Sequence, residues 1–239
     1  MKKAIVIFSG GLDSTTCLFW ALDEFDEVHT ITFNYSQRHS IEIDFAKKTL
    51  QLAEQIKGKK IFPHFFNIDL SQIGGSALTD SSIDVPKNRS INEIESGIPV
   101  TYVPFRNGIF LSITGAMAER YEIFNIIGGW NMLDYSGYPD CRENFLRSFE
   151  QTLNYGTKAG SEGKTFTIHT PLLKMKKSQI IVFGKKHQAN YSYSYSCYEG
   201  KETPCGKCDA CILRAKGFKE AGIEDDFLVR LRNEGHNNT

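Results

Sequence analysis

Nowhere in the 239-residue chain does an apolar run approach the roughly 18 residues that cross a bilayer. The N-terminal run Ala4-Ile5-Val6-Ile7-Phe8 stops after five residues, short of a signal-peptide core, so the sequence reads as cytoplasmic and without a membrane partner. Net charge is missing too: 28 Lys and Arg balance 28 Asp and Glu, which excludes nucleic-acid binding through a general basic field. Internal repeats and low-complexity tracts are absent, apart from the alternation Tyr191-Ser192-Tyr193-Ser194-Tyr195-Ser196. Cysteines are few, and four of the six lie between Cys197 and Cys211, which suits a metal site in a reducing compartment better than a disulfide framework. What remains is ordinary globular composition, enough for one α/β domain with an appendage or for two small domains.

The apolar run at residues 4–8 breaks into Ser9-Gly10-Gly11-Leu12-Asp13-Ser14-Thr15-Thr16, which reads as a buried strand, a tight loop and a helix N-terminus. Glycines let backbone N–H groups reach an anion, the helix adds its positive dipole end, and Ser9, Ser14 and Thr15 add hydroxyls. Neither the Walker spacing nor the dinucleotide Gly-x-Gly-x-x-Gly is present, so a third kind of phosphate loop is indicated. A plain turn before a surface helix is the alternative. Asp13 makes sense in a phosphate cradle if Mg²⁺ accompanies the nucleotide. Ser-Gly-Gly-Leu-Asp-Ser resembles the PP-loop of the ATP pyrophosphatases, which cleave ATP between the α- and β-phosphates.

Apolar spacing predicts helices over residues 14–23, 41–56, 144–154 and 178–186, with strands over 27–33, 61–68, 123–127 and 165–168. Strand, helix, strand within about 30 residues is the unit of a parallel sheet. The stretch 34–39 follows a strand and offers nucleotide or substrate contacts, or else is a polar loop with Tyr35 covering a core edge. Residues 71–100 lack periodicity, which suggests a lid or a mobile segment. Arg106 and Asn107 open a buried helix, where Arg106 adds a fixed cation to the site or is a surface arginine. Residues 128–142 mix glycines, tyrosines, aspartates and an arginine after a strand, which suits a planar purine-like base, or else form a structural loop. The alternation 191–196 has a strand's period.

Cys197, Cys205, Cys208 and Cys211 can close a tetrahedron around one ion and leave no open position, so zinc there is structural. An iron–sulfur cluster uses the same ligands. Such a site contributes folding energy directly.

Together, residues 8–18, Phe33-Asn34-Tyr35-Ser36-Gln37-Arg38-His39, Val103-Pro104-Phe105-Arg106-Asn107, Asp134-Tyr135-Ser136-Gly137-Tyr138-Pro139-Asp140-Cys141-Arg142 and the cysteine run resemble the 7-cyano-7-deazaguanine synthases of queuosine biosynthesis over nearly the whole chain. Ser36, Phe105 and Trp130 depart from the residues that resemblance leads one to expect. It implies an α/β fold with a five-stranded, mainly parallel, doubly wound sheet over residues 1–195, of the adenine nucleotide α-hydrolase kind. A small zinc-binding segment with a C-terminal helix spans 196–239. It implies an ATP-dependent carbon–nitrogen ligase that turns 7-carboxy-7-deazaguanine and free ammonia into the nitrile through adenylated intermediates, and a homodimer.

Under that resemblance Phe8, Ser9, Gly10, Gly11, Leu12, Asp13, Ser14, Thr15, Thr16, Cys17 and Leu18 hold ATP, with Asp13, Ser14 and Arg106 catalytic. Tyr35, Gln37, Arg38, Asn107, Asp134, Tyr135, Asp140 and Arg142 meet the deazaguanine, and no protein nucleophile is needed. Two other readings stay open: a PP-loop ligase or thiolase acting on RNA, and a zinc-stapled nucleotide-binding module without chemistry.

Overall fold

The computed structural model describes residues 1–35, 41–80, 82–94, 96–133 and 138–235. Its elements run β1 (Lys3–Ile7), α1 (Leu12–Glu24), β2 (Glu27–Asn34), α2 (Ile41–Lys57), β3 (Ile61–Asn67), α3 (Ile91–Ile94), α4 (Arg106–Arg120), β4 (Asn125–Gly128), α5 (Glu143–Gly156), α6 (Lys158–Ser161), β5 (Thr167–His169), α7 (Lys177–Lys186), α8 (Asp209–Ala221) and α9 (Asp226–Asn233). The strands form a five-stranded sheet in the order β3-β2-β1-β4-β5. The sheet is expected to be mainly parallel; every neighbouring pair is parallel.

β1 sits at the centre because both of its faces are apolar. Ala4 and Val6, with Phe8 just beyond, join a cluster with Leu18 and Leu22 of α1, Leu50 of α2 and Ile180 of α7. Ile5 joins the opposite cluster, with Leu111 of α4 and Leu146 of α5. A strand buried on both sides has no solvent face and so reads as a continuous apolar run. The chain leaves β1 for β2 and β3, then returns to lay β4 on the other flank of β1. Strand order reverses there, and the loops after β1 and β4 part to leave a crevice at their C-terminal ends.

The strand expected over 61–68 forms as β3, at the edge of the sheet: Ile61 is buried while Phe65 and Phe66 are exposed, and Pro63, which has no N–H for a ladder, is tolerated at an edge. Two expectations differ. Residues 191–196 form no strand. Their tyrosines serve different neighbours instead: Tyr191 meets Thr16 Oγ1 through its hydroxyl at 2.8 Å, while the Tyr195 ring stacks on Phe45 with centroids 5.2 Å apart. Finally, the stretch expected to be a lid or mobile is fastened to the cysteine segment. Lys87 bridges to Cys208, Asn88 N–H donates to Lys207 O at 2.8 Å, and Arg89 Nε donates to Asp209 Oδ1 at 3.1 Å.

Candidate active site

The crevice after β1 and β4 opens into a cavity of about 300 Å³ lined by Ser9, Gly11, Asp13 and Ser14 on one side and by Arg106, Asn107 and Tyr138 on another. The loop that floors it is tight for steric reasons. Gly10 has φ +78°, and a Cβ there would lie 3.1 Å from the Ala46 backbone of α2. A Cβ on Gly129, after β4, would lie 3.0 Å from the carbonyl carbon of Asp13. Ser9 Oγ accepts from Gly11 N–H at 3.3 Å and lies 3.1 Å from Ser14 Oγ, which donates to Gly11 O at 3.1 Å. Helix α1 starts at Leu12, so Asp13 and Ser14 stand in its first turn, and no side chain caps its N-terminus. Backbone N–H groups and hydroxyls therefore converge where the helix dipole is positive, an arrangement that takes phosphate.

Asp13 is held by a residue from the far end of the domain. Lys177 Nζ, from the first turn of α7, donates to both Asp13 oxygens, at 2.8 and 2.9 Å. Sequence reasoning missed it, because nothing local separates Lys177 from Lys174 or Lys176; only the packing of α7 against α1 brings it to the cavity.

Arg106 opens α4, as the spacing predicts, and it is half-buried. Its guanidinium lies 5.7 Å from the Tyr35 ring centre and 5.9 Å from that of Phe110, and its Nε has no partner among the described residues. Burial opposes the charge, but Tyr35, Tyr138, Cys141 and the Asp140 carboxylate more than offset it and hold the guanidinium protonated. Asp140 Oδ2 accepts from Asn107 N–H at 2.9 Å, pinning the start of α4 to a short 3-10 turn, Pro139–Cys141. Burial, with the Asp140 charge beside it, pushes the Cys141 thiol up to about 12. It is a packing thiol that accepts from Asn107 Nδ2 at 3.3 Å, not a nucleophile.

The four cysteines come together. Their Sγ atoms all lie within 4.8 Å of one another. Backbone N–H groups of Cys205 and Cys208 point at Cys197 Sγ and Cys205 Sγ, each at 3.3 Å. Hydrogen bonds from Cys208 and Cys211 favour the Cys197 thiolate, the form that ligates metal. The segment also walls the cavity: Tyr195, Ser196, Tyr198 and Leu213 line it.

A family profile described as "Queuosine biosynthesis protein QueC" matches residues 3–222, more than nine-tenths of the chain. The chain belongs to the QueC family. Among its relatives, a "7-cyano-7-deazaguanine synthase" of Rhodopirellula baltica is 49% identical over 232 residues, covering 95% of this chain and 91% of its own. One of the same name from Myxococcus xanthus is 47% identical over 227 residues, covering 94% and 96%. A solved 4-thiouridine synthetase, in a complex with RNA and bound ATP, shares the fold: TM-score 0.52 at 18% identity, over all of this chain and 54% of the other.

In this QueC-family chain Phe8, Ser9, Gly11, Leu12, Asp13 and Ser14 reach the cavity, and so do Tyr35, Arg106 and Asn107. Thr16, Cys17 and Leu18 do not; Thr16 bonds Tyr191 and the other two pack in the core. Thr15 is buried with its hydroxyl unpartnered among the described residues. Asp140 stands behind Asn107, and Arg142 is exposed at the start of α5. Gln37, Arg38, Asp134 and Tyr135 lie outside the described residues. Trp130 is buried, its ring over Gly128 at the cavity wall, and Phe105 takes a left-handed φ of 53° ahead of α4.

Proposed function

We propose that this chain converts 7-carboxy-7-deazaguanine, ammonia and ATP into 7-cyano-7-deazaguanine. Family membership supports the reading, and one observation carries it: a phosphate-collecting loop and a half-buried, permanently charged arginine face the same cavity. A carboxylate resists amines because its oxygen leaves poorly, so it must first be adenylated. The carboxylate oxygen attacks the α-phosphorus, the bond to the bridging oxygen breaks, and pyrophosphate leaves with the electron pair. Gly11, Ser9 and Ser14 hold that leaving group at the start of α1. Ammonia displaces AMP and, after losing a proton, gives the amide. The amide oxygen then attacks a second ATP, and loss of AMP and the remaining N–H protons forms the nitrile. One loop serves both rounds, because each expels the same group from the same place. Arg106 faces the negative charge of the acid, and Asn107, Tyr35 and Tyr138 are positioned to orient its ring.

Hard oxygen donors fit Mg²⁺: the Asp13 and Glu42 carboxylates line the same cavity. Bound there, the ion would neutralise phosphate charge. Four thiols with no other donor fit a closed zinc site, structural in role, within the segment 196–239. Ammonia is taken free, and the enzyme is a cytoplasmic homodimer. Incubation with ATP, ammonium and the acid, followed by mass spectrometry, tests the reading: nitrile, AMP and pyrophosphate are expected, while ATP bound and never cleaved overturns it.

A further inference from the structure

We propose that Ser196, delivered by the alternating tyrosines and serines of residues 191–196, is a phosphate-binding residue of this site, its hydroxyl donating to a pyrophosphate oxygen. This rests on the adenylating reading above. The run lies beyond the last strand, yet it reaches the loop after β1. Tyr195 N–H donates to the Gly10 carbonyl, and a Cβ on Gly11 would lie 3.4 Å from Ser9 Oγ, 3.6 Å from Tyr195 O and 3.8 Å from Ser196 Oγ. Hydroxyls from two distant parts of the chain therefore flank the same glycine. Ser196 lines the cavity with Ser9, Gly11 and Ser14, and its Oγ forms no hydrogen bond among the described residues.

The residues around Ser196 are anchored on both sides. Tyr191 meets Thr16 of α1, the Tyr195 ring stacks on Phe45 of α2, and the Tyr195 hydroxyl donates to Lys201 O at 2.7 Å. Arg214 of α8 donates from Nη1 to Ser194 O at 3.0 Å and to Ser194 Oγ at 2.9 Å, while its Nε and Nη2 hold Asp225 at 2.6 and 2.8 Å. On the other side, Cys197 Sγ accepts from the N–H groups of Glu199 and Cys205 at 3.5 and 3.3 Å. Tyr195 and Cys197 are buried, and Ser196 between them is half-buried. Ser194 is thus engaged by Arg214, whereas Ser196 is held at the cavity wall with its hydroxyl toward the phosphate loop.

As the bond between the α-phosphorus and the bridging oxygen breaks, negative charge gathers on the β- and γ-phosphates. A hydroxyl fixed beside them rotates its O–H onto the oxygen where charge develops and adds a charge-assisted hydrogen bond. No proton leaves Ser196, and no bond forms to its oxygen.

The test compares Ser196→Ala with Ser196→Thr, which keeps the hydroxyl, and with Ser192→Ala, which removes a hydroxyl of the same run that does not line the cavity. Calorimetry with inorganic pyrophosphate and, separately, AMP reads each variant without the acid. Ser196→Ala should weaken pyrophosphate about tenfold and leave AMP within about twofold, at the metal content of wild type. Ser196→Thr and Ser192→Ala should bind pyrophosphate within about threefold of wild type. Unchanged pyrophosphate affinity in Ser196→Ala overturns the contact, as do equal losses for pyrophosphate and AMP, an equal loss in either of the other variants, or a loss that appears only together with loss of metal. If the wild-type protein makes no nitrile yet the pyrophosphate–AMP split holds, the substrate reading fails and the role of Ser196 stands.

Discussion

The backbone N–H of Tyr195 donates to the carbonyl of Gly10 at 2.8 Å, two residues before the first of the four clustered cysteines. The cysteine segment therefore touches the phosphate loop through main chain, a link that only proline at position 195 would strip of its donor. Stripping the metal with a chelator should lower the melting midpoint and weaken ATP binding together. Protein that loses metal yet binds ATP as before would refute the link, and a brown colour in the purified protein would refute zinc.

Asp13→Ala and Ser14→Ala should each cost about 100-fold or more in turnover while far-ultraviolet circular dichroism keeps its native shape. Ser14→Ala removes two hydroxyl contacts and should cost stability about 1 kcal/mol. Rates equal to wild type would take the loop out of the reaction.

Arg106→Met replaces a half-buried guanidinium whose Nε has no partner among the described residues. We expect kcat/KM for the acid to fall about 100-fold, with Arg106→Lys recovering little, since a point charge does not reproduce the planar fork between Tyr35 and Phe110. Full activity in Arg106→Lys would contradict this.

Two histidines give stability a pH dependence on the acid side. Burial, then the neighbouring His29, lowers the His64 pKa, and burial, then Lys2, lowers that of His169. Both are more easily protonated in the unfolded chain, so their contribution is complete above about pH 6.5 and is lost as pH falls below it. Melting curves between about pH 5 and 8 should show the midpoint dropping on acidification, less steeply in His64→Gln. A midpoint that stays flat would exclude these groups.

Arg89→Ala strands Asp209, a carboxylate that is 1% exposed. The loss should be about 3 kcal/mol, seen as a lower denaturation midpoint, with the stretch around Lys87 becoming open to protease. No change in either would mean that the strap is held elsewhere.

The sheet was largely legible because parallel strands buried on both faces leave continuous apolar runs, and β1 is such a run. β3 was legible as a strand for the same reason, but only strand order puts Phe65 and Phe66 at a rim. The phosphate loop was legible because its residues are adjacent in sequence and its glycines answer to local sterics. Lys177 was not, since 164 residues separate it from Asp13 and only helix packing joins them. The tyrosine alternation misled because a period of two also arises when successive rings serve different neighbours, as Tyr191 and Tyr195 do.

Pro63 carries a last consequence. An open parallel sheet ends in a strand whose outer amides could recruit any extended peptide, and a phenylalanine-rich rim would make that recruitment sticky. With a rung missing at mid-strand, a stray chain lying along residues 61–67 meets an interrupted ladder. An apolar border at this edge thus carries its own obstacle to strand-by-strand growth.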